Sequence, residues 1–176
     1  MVVDSAWRQG VQTALCRQAK AGVTDVLSET TVRERFWENY SLGELSNEEW
    51  EALCDGCGKC CLKREMDGDR VTVYGVACPL LDVETARCKD YPNRLKKVPD
   101  CDKLTARTVS RYKWLPDSCA YRRLDEGKPL PKWHPLLVGD DSLMQTLGIS
   151  VSGYAVSSAD VPRRRLKKHV IARHRI

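Results

Sequence analysis

Cysteine crowds one part of this 176-residue chain and limits what that part can fold into. The sequence has nine cysteines, and eight fall within the 66 residues from 54 to 119. That density, roughly 12%, exceeds the level of about 8–10% that is typical of cross-linked scaffolds. Glycine, proline and charged residues are frequent in the same segment, so we expect a thin hydrophobic core that needs disulfides or bound metal. The eight residues are Cys54, Cys57, Cys60, Cys61, Cys78, Cys88, Cys101 and Cys119.

The first residues of the chain help to decide between metal and disulfides. The stretch MVVDSAWRQGVQTALCRQAKAG has no apolar run long enough for the core of a secretory signal peptide. No segment approaches the roughly 18 apolar residues of a membrane span, so no membrane association is predicted. A cytoplasmic protein keeps its thiols reduced, and its clustered cysteines more often bind metal. The sequence therefore predicts metal binding, with disulfides and inert core thiols as the alternatives.

Residues 54–61 read C-x2-C-x2-C-C. Two residues between cysteines let both sulfurs reach one ion while backbone N–H groups of the turn point at the sulfurs. This turn needs torsions that glycine tolerates best, and Gly56 and Gly58 are placed to adopt them. Soft thiolate ligands select zinc, cuprous copper or iron–sulfur clusters. The spacing is typical of half a zinc site and also of the start of a ferredoxin motif.

Two adjacent cysteines, Cys60 and Cys61, bear on how the eight are divided. Neighbouring side chains of an extended chain point to opposite sides, so one of the pair is expected to serve a second ion or another part of a cluster. Eight thiolates make two four-ligand sites, or one cluster with spare thiols. Cys16 has no neighbour at ligand spacing and is interpreted as a structural thiol.

Three segments follow from the remaining pattern: a helical lead-in over 1–35, a cysteine-cluster domain over 36–160 and a basic C-terminal tail over 161–176. The predicted fold class is α+β, a small, loop-rich single domain with short helices and few strands. Ser46 and Glu49 form a capping-box pattern for a helix over 47–53. Strands are predicted at 71–74 and 149–156, helices at 104–113 and 118–126 with Asp117 as N-cap, and an extended segment at 131–135.

A family resemblance becomes specific at these residues. The strings CDGCGKCC, VACPLLDVETARCKDYPNR, PDCDKL and WLPDSCAYRRLDEGKPLPKWHPLL resemble the YcgN/YkgJ-type cysteine-cluster proteins, most closely the YcgN branch. The resemblance covers about residues 36–160 and includes all eight cysteines from 54 to 119. It implies a small bacterial cytoplasmic protein that chelates zinc or iron and has no established reaction. It does not decide between the two metals.

Other kinds of site find little support. His134 is a candidate ligand or proton donor near the cluster, but packing beside Trp133 is the favoured interpretation. No nucleophile elbow, Walker loop or dinucleotide fingerprint is present. Enzymatic activity is therefore not favoured; if it exists, we expect iron–sulfur-dependent redox chemistry. Residues 161–176 hold seven arginines and lysines and no acid, whereas the remaining chain has 22 basic and 24 acidic residues. Nucleic-acid binding through this tail is a weaker alternative to a solvated basic end.

Three functional classes remain open. The first is a chelating or structural metal module that presents a surface to an unidentified protein partner, with colourless zinc. The second is an iron–sulfur redox protein or electron carrier, suggested by the ferredoxin-like start and by Cys78-Pro79. The third is a metal-trafficking protein whose exposed thiols pass an ion onward.

Overall fold

The computed structural model describes residues 32–176. The predicted helical lead-in over 1–35 and Cys16 therefore lie, apart from residues 32–35, outside the described residues. Within the described residues, six short helices and four strands confirm the mixed α+β class. Among residues 32–176, none of the helices has the length and apolar character needed to span a bilayer.

A four-stranded sheet built around one central strand forms one part of the fold. Strand β1 (Leu62–Asp67) turns through Gly68 into β2 (Arg70–Ala77), and the two pair antiparallel. The other side of β2 pairs in parallel with the short β3 (Val156–Ser157) and antiparallel with β4 (Val170–Arg175). The strand predicted at 71–74 is thus confirmed as part of β2. Strand β1 was not predicted because its exposed, charged side chains lack hydrophobic alternation.

The first two helices precede the cysteine motif: α1 (Phe36–Asn39) and α2 (Asn47–Ala52). The predicted capping box is confirmed. The Glu49 N–H donates to the Ser46 hydroxyl at 3.2 Å, and the Ser46 N–H donates to the Glu49 carboxylate at 2.9 Å. Arg33, which the sequence did not single out, adds hydrogen bonds of 2.6 and 2.7 Å to the same carboxylate.

The later helices are short: α3 (Arg94–Lys97), α4 (Ala120–Asp125), α5 (Pro135–Val138) and α6 (Ser142–Thr146). The prediction of a helix at 118–126 capped by Asp117 was wrong at its start. Cys119 occupies the N-cap position, and Asp117 pairs instead with Arg122 at 2.7 Å.

Three other predicted elements were also wrong. Segment 104–113 forms only a 3-10 turn at Val109–Arg111, because the hydroxyls of Thr105 and Thr108 hydrogen-bond to each other and to nearby backbone groups. Segment 131–135 is a turn that leads into α5 rather than extended chain. Segment 149–156 is largely turns, and its apolar spacing comes from the burial of Val151 and Ala155 one helical turn apart.

Two hydrophobic clusters lie under these elements. One joins α1, α2 and α4 through residues such as Phe36, Leu53 and Leu115, each fully buried. The other lies beneath the sheet and includes Leu62 and Val151. Cys119 packs against the first cluster, whereas Cys61 and Cys78 pack against the second.

The basic C-terminal segment is part of the sheet. Residues Arg163–His169 form a 3-10 helix that contacts β2, and β4 then pairs with β2 along its first half. Residues 170–175 thus join the sheet through their backbone, while their side chains are mostly exposed. Backbone pairing does not depend on side-chain polarity, so charge composition concealed this strand.

Candidate metal centre

The loop that carries the first cysteines has the conformation predicted from its glycines. Gly56 and Gly58 adopt left-handed backbone conformations, with φ of +72° and +74°. Burial raises the pKa of Cys54 and of Cys57, and the backbone N–H groups of Gly56 and Lys59, respectively, lower it in part. These N–H groups would stabilise negative charge on each sulfur. The C-x2-C segment thus forms the turn predicted from its two glycines.

Gly58 is also constrained by its surroundings. A Cβ atom at this position would come within 2.6 Å of the Val151 side chain and 3.3 Å of Ala86. The Val151 N–H donates to the carbonyl of Cys57 at 2.8 Å, which ties the loop to the turn below it. The conformation of the loop is therefore fixed both by its own backbone torsions and by its contacts with the core beneath the sheet.

Four cysteines form a first group: Cys54, Cys57, Cys60 and Cys119. The Cys60 thiol lies near enough to the other three to raise the pKa of each. Burial is the larger cause: the pKa of Cys54 is raised to about 12 and that of Cys119 to about 11. Cys54 and Cys60 remain partly open to solvent even though protein atoms surround their sulfurs densely.

The other four cysteines lie at the open end of the β1–β2 hairpin and beyond it: Cys61, Cys78, Cys88 and Cys101. The Cys78 N–H donates to the Cys61 carbonyl at 2.9 Å. Cys88 pairs in an isolated β-bridge with Leu81, and Leu81 lies three residues after Cys78. The pKa of Cys101 is raised by burial and by the nearby Cys78 and Cys88. We refer to these as the second group.

The two groups meet at Cys60 and Cys61. The prediction that these two side chains point to opposite sides was wrong, because it assumed an extended chain. Residues Lys59–Cys61 form a 3-10 turn, not extended chain, so the adjacent side chains are not on opposite sides. Instead, the Cys61 thiol lies beside that of Cys60 and is the main cause of the raised pKa of Cys60.

The eight cysteines from 54 to 119 are free thiols, so none of the disulfides considered as an alternative is present among residues 32–176. Within residues 32–176, however, no three His, Cys, Asp or Glu side chains lie close enough together to form a metal site. The predicted ligands thus lie in two neighbouring groups, but in neither group do three of them come close enough together to hold one ion.

Two residues near the thiols were missed by the sequence analysis. Arg64 donates to the Cys60 carbonyl at 2.9 Å and to Asp102 at 3.1 Å, and its guanidinium stacks on Trp114. Its charge lowers the pKa of Cys60 against the larger raising effects. Asp55 lies buried inside the cysteine loop. Sequence alone could have flagged Asp55 because it stands between two predicted ligands, whereas nothing local marks Arg64.

His134 is a structural residue rather than a ligand. It is fully buried, and both ring nitrogens have backbone partners: Nε2 with the Leu53 carbonyl at 3.0 Å, and Nδ1 with the Leu136 N–H at 3.2 Å. Because the carbonyl only accepts and the amide only donates, the ring is neutral with its proton on Nε2. Burial lowers the pKa of His134, in keeping with that form.

Comparison with known proteins identifies the family. The chain is 48% identical over 138 residues to a UPF0260 protein of Marinobacter nauticus, covering 77% of this chain and 93% of the relative. It is 50% identical over 128 residues to one of Vibrio parahaemolyticus, covering 72% and 88%. The chain belongs to the UPF0260 family.

A third UPF0260 protein, from Caulobacter vibrioides, is 50% identical over 129 residues, covering 72% of this chain and 80% of the relative. No family model matches the chain. No solved structure matches it either. The UPF0260 name states neither ligand nor reaction, and membership of the YcgN branch within this cysteine-rich family stays a prediction.

Proposed function

We propose that this UPF0260 protein is a cytoplasmic metal-binding protein whose eight clustered cysteines hold zinc or iron as thiolates. The observation that supports the proposal is the gathering of thiols distant in sequence: Cys119 lies with Cys54 and Cys60, and Cys101 lies with Cys78 and Cys88. Eight free thiols gathered into two neighbourhoods, only one of them on a buried residue, contribute less to a hydrophobic core than apolar side chains would. A shared cation gives the arrangement a purpose.

The donor chemistry fits such a cation. Thiolates favour zinc and iron over magnesium and calcium. Side-chain rotation about χ1 moves a sulfur between staggered positions, which gives neighbouring thiols a way to close around an ion without changing the backbone. The raised pKa values of Cys54 and Cys119 mean that these thiols carry protons at neutral pH, so metal must displace protons as it binds.

The decisive experiment is elemental analysis with a visible spectrum of protein purified without oxygen and under reducing conditions. We expect about stoichiometric zinc or iron, and its removal by a strong chelator should lower the thermal midpoint. Structural zinc contributes on the order of 10–16 kcal/mol in small peptides, comparable to a domain's stability of about 5–15 kcal/mol. Cys16→Ser serves as the control, since that cysteine is predicted to lie outside the centre.

Protein that contains no metal, takes none up and melts unchanged with a chelator would refute the proposal. The colour of the protein and the exchange rate of its metal distinguish between the possible roles. Colourless zinc that does not exchange supports a chelating or structural module with a protein partner, our first choice. Labile metal supports trafficking, for which the partly open Cys54 and Cys60 are suited.

An iron–sulfur electron carrier is the second candidate. The observation in its favour is that the two cysteine groups are contiguous through Cys60 and Cys61, as a shared cluster region would require. This alternative predicts brown protein whose visible absorption bleaches on reduction.

A further inference from the structure

The basic end of the chain forms an exposed, positively charged surface on the fold. Residues 161–176 contain five arginines, two lysines and no acid. The 3-10 helix Arg163–His169 and strand β4 carry these seven side chains, and every one of them is exposed. At about 2.0 Å per residue in the helix and about 3.3 Å in the strand, the cations extend over roughly 30 Å of backbone.

Sheet pairing adds an eighth cation and brings three arginines together. Arg175 of β4 lies directly opposite Arg70 of β2. Opposite residues share a face of the sheet, as do residues two apart on one strand, so Arg173 lies on that face too. Arg70, Arg173 and Arg175 line an open depression with His174, and Asp67 is the acid among its lining residues. We call the eight side chains the basic surface: Arg70, Arg163, Arg164, Arg165, Lys167, Lys168, Arg173 and Arg175.

Most of the charge on the basic surface is not balanced by acids of the described residues. Within residues 32–176, the one ion pair that the basic surface makes joins Arg175 to Asp69 at 3.6 Å. By contrast, Arg33 lies 2.6 Å from the Glu49 carboxylate. Like charges directly opposite each other, such as Arg70 and Arg175, destabilise a sheet. A bound polyanion would relieve this repulsion.

We propose that the basic surface binds the phosphate backbone of a nucleic acid without regard to base sequence. This interface is separate from the proposed metal centre and does not depend on bound metal. Among residues 32–176, β4 pairs with β2 alone, so backbone N–H groups on its other edge are open to phosphate oxygens as well. Because the cations are held on a helix and a strand rather than on a solvated tail, less conformational entropy is lost on binding.

The arginine content favours a nucleic acid over a lipid surface. Six of the eight cations are arginines, whose planar guanidinium groups match pairs of phosphate oxygens. An anionic membrane attracts lysine and arginine alike, and basic helices that bind it also insert exposed apolar side chains. In the 3-10 helix, the large apolar residue Leu166 is half-buried, so the arginines and lysines there surround no exposed apolar side chain.

The test is fluorescence anisotropy of a labelled single-stranded DNA oligonucleotide of mixed sequence, titrated with the full-length protein under reducing conditions. We expect a Kd of about 10⁻⁴–10⁻⁶ M at physiological salt. Each phosphate contact to a single strand contributes about −0.7 to the slope of log K against log salt. Changing Arg163, Arg164 and Arg165 to glutamine should therefore flatten that slope by up to about 2 and weaken binding at least about tenfold.

The matched control removes three exposed cations from another part of the chain, by changing Arg107, Arg111 and Lys113 to glutamine. Both triple variants lower the net charge equally, so a difference between them reports the position of the charges rather than their number. We expect the control to bind the oligonucleotide nearly as tightly as wild type. Equal losses in the two variants would overturn the inference, as would a wild-type protein that does not bind the oligonucleotide at low salt.

Two further probes exclude other polyanions. Wild type should bind vesicles of phosphatidylserine and phosphatidylcholine more weakly than the oligonucleotide. Poly-L-glutamate, at equal charge, should displace the labelled strand less well than unlabelled DNA does. Tighter binding to the vesicles would assign the basic surface to a membrane instead, and equal competition by poly-L-glutamate would indicate attraction to acidic chains in general. Either result would refute the proposed interface and leave the metal-binding proposal untouched.

Discussion

The imidazole Nε2–H of His134 donates a 3.0 Å hydrogen bond to the backbone carbonyl of Leu53, the residue immediately before Cys54. Nδ1 of the same ring caps α5. One buried side chain thus connects the start of a late helix to the start of the cysteine loop, 81 residues earlier.

His134→Ala should destabilise the protein by about 2–4 kcal/mol, because it leaves the Leu53 carbonyl without this donor and opens a cavity in a fully buried position. Denaturant unfolding measures the loss. His174→Ala, at an exposed position of β4, is the control and should change stability by less than about 0.5 kcal/mol. Equal stability of the two variants would contradict a structural role for the buried imidazole.

Acid should weaken the protein through Glu49. Hydrogen bonds from Arg33 lower the pKa of this carboxyl to about 2 from 4.5. Because the folded-state pKa is depressed, the stabilising contribution is complete above pH 4.5 and is lost as pH falls from 4.5 towards 2. We expect Glu49→Gln to be less stable than wild type at pH 6, with the difference vanishing near pH 2. Glu48→Gln, exposed in the same helical turn, should show no such pH-dependent difference.

Three glycines with positive φ should respond differently to alanine. Gly68→Ala, at the hairpin turn with open space around it, should cost only the left-handed strain of about 1–2 kcal/mol. At Gly56 the new methyl meets the end of the flexible Arg87 side chain, which can move aside. Gly58→Ala should be the most destabilising, because the methyl would lie 2.6 Å from packed Val151. Denaturant unfolding ranks the stabilities of the three variants. A Gly58→Ala variant at least as stable as Gly68→Ala would contradict the tight packing around Gly58.

Substitutions of cysteine should reveal two centres. If the groups are separate, Cys119→Ser and Cys101→Ser should each lower bound metal by about one ion per chain. Combining the two should remove both ions, whereas Cys119→Ser with Cys54→Ser should remove only one. Elemental analysis after desalting measures the number of metal ions bound per chain. Loss of all metal from every single variant would indicate one shared cluster instead.

Removing residues 170–176 should lower the unfolding midpoint, because β2 loses one of its two antiparallel partners and Gly75 loses the neighbouring Ile171. The comparison is a full-length variant with Arg163, Arg164 and Arg165 changed to glutamine. These side chains are exposed, so their removal should leave stability nearly unchanged while weakening any nucleic-acid binding. A truncated chain that unfolds at the wild-type midpoint would show the basic end to be an appendage.

Local signals were sufficient for some elements. The capping box of α2 and the torsions of Gly56 and Gly58 depend on residues within three or four positions of one another. The same type of reasoning failed at 104–113, where threonine hydroxyls compete for the backbone, and at 149–156, where apolar spacing reflects a buried turn. Strand β4 lay beyond local reasoning because its partner is about 100 residues away in sequence.

By itself, the sequence determined the set of eight clustered thiols and the glycine turn that presents the first of them, since ligand chemistry and backbone torsion are local properties. Tertiary structure decided which thiols lie together, with Cys119 beside the 54–60 loop and Cys101 beside Cys78. It also decided that His134 supports the loop and that the basic C-terminal residues join the sheet beside Arg70. Burial and long-range contact arise only when distant segments pack, so these properties cannot be read from spacing along the chain.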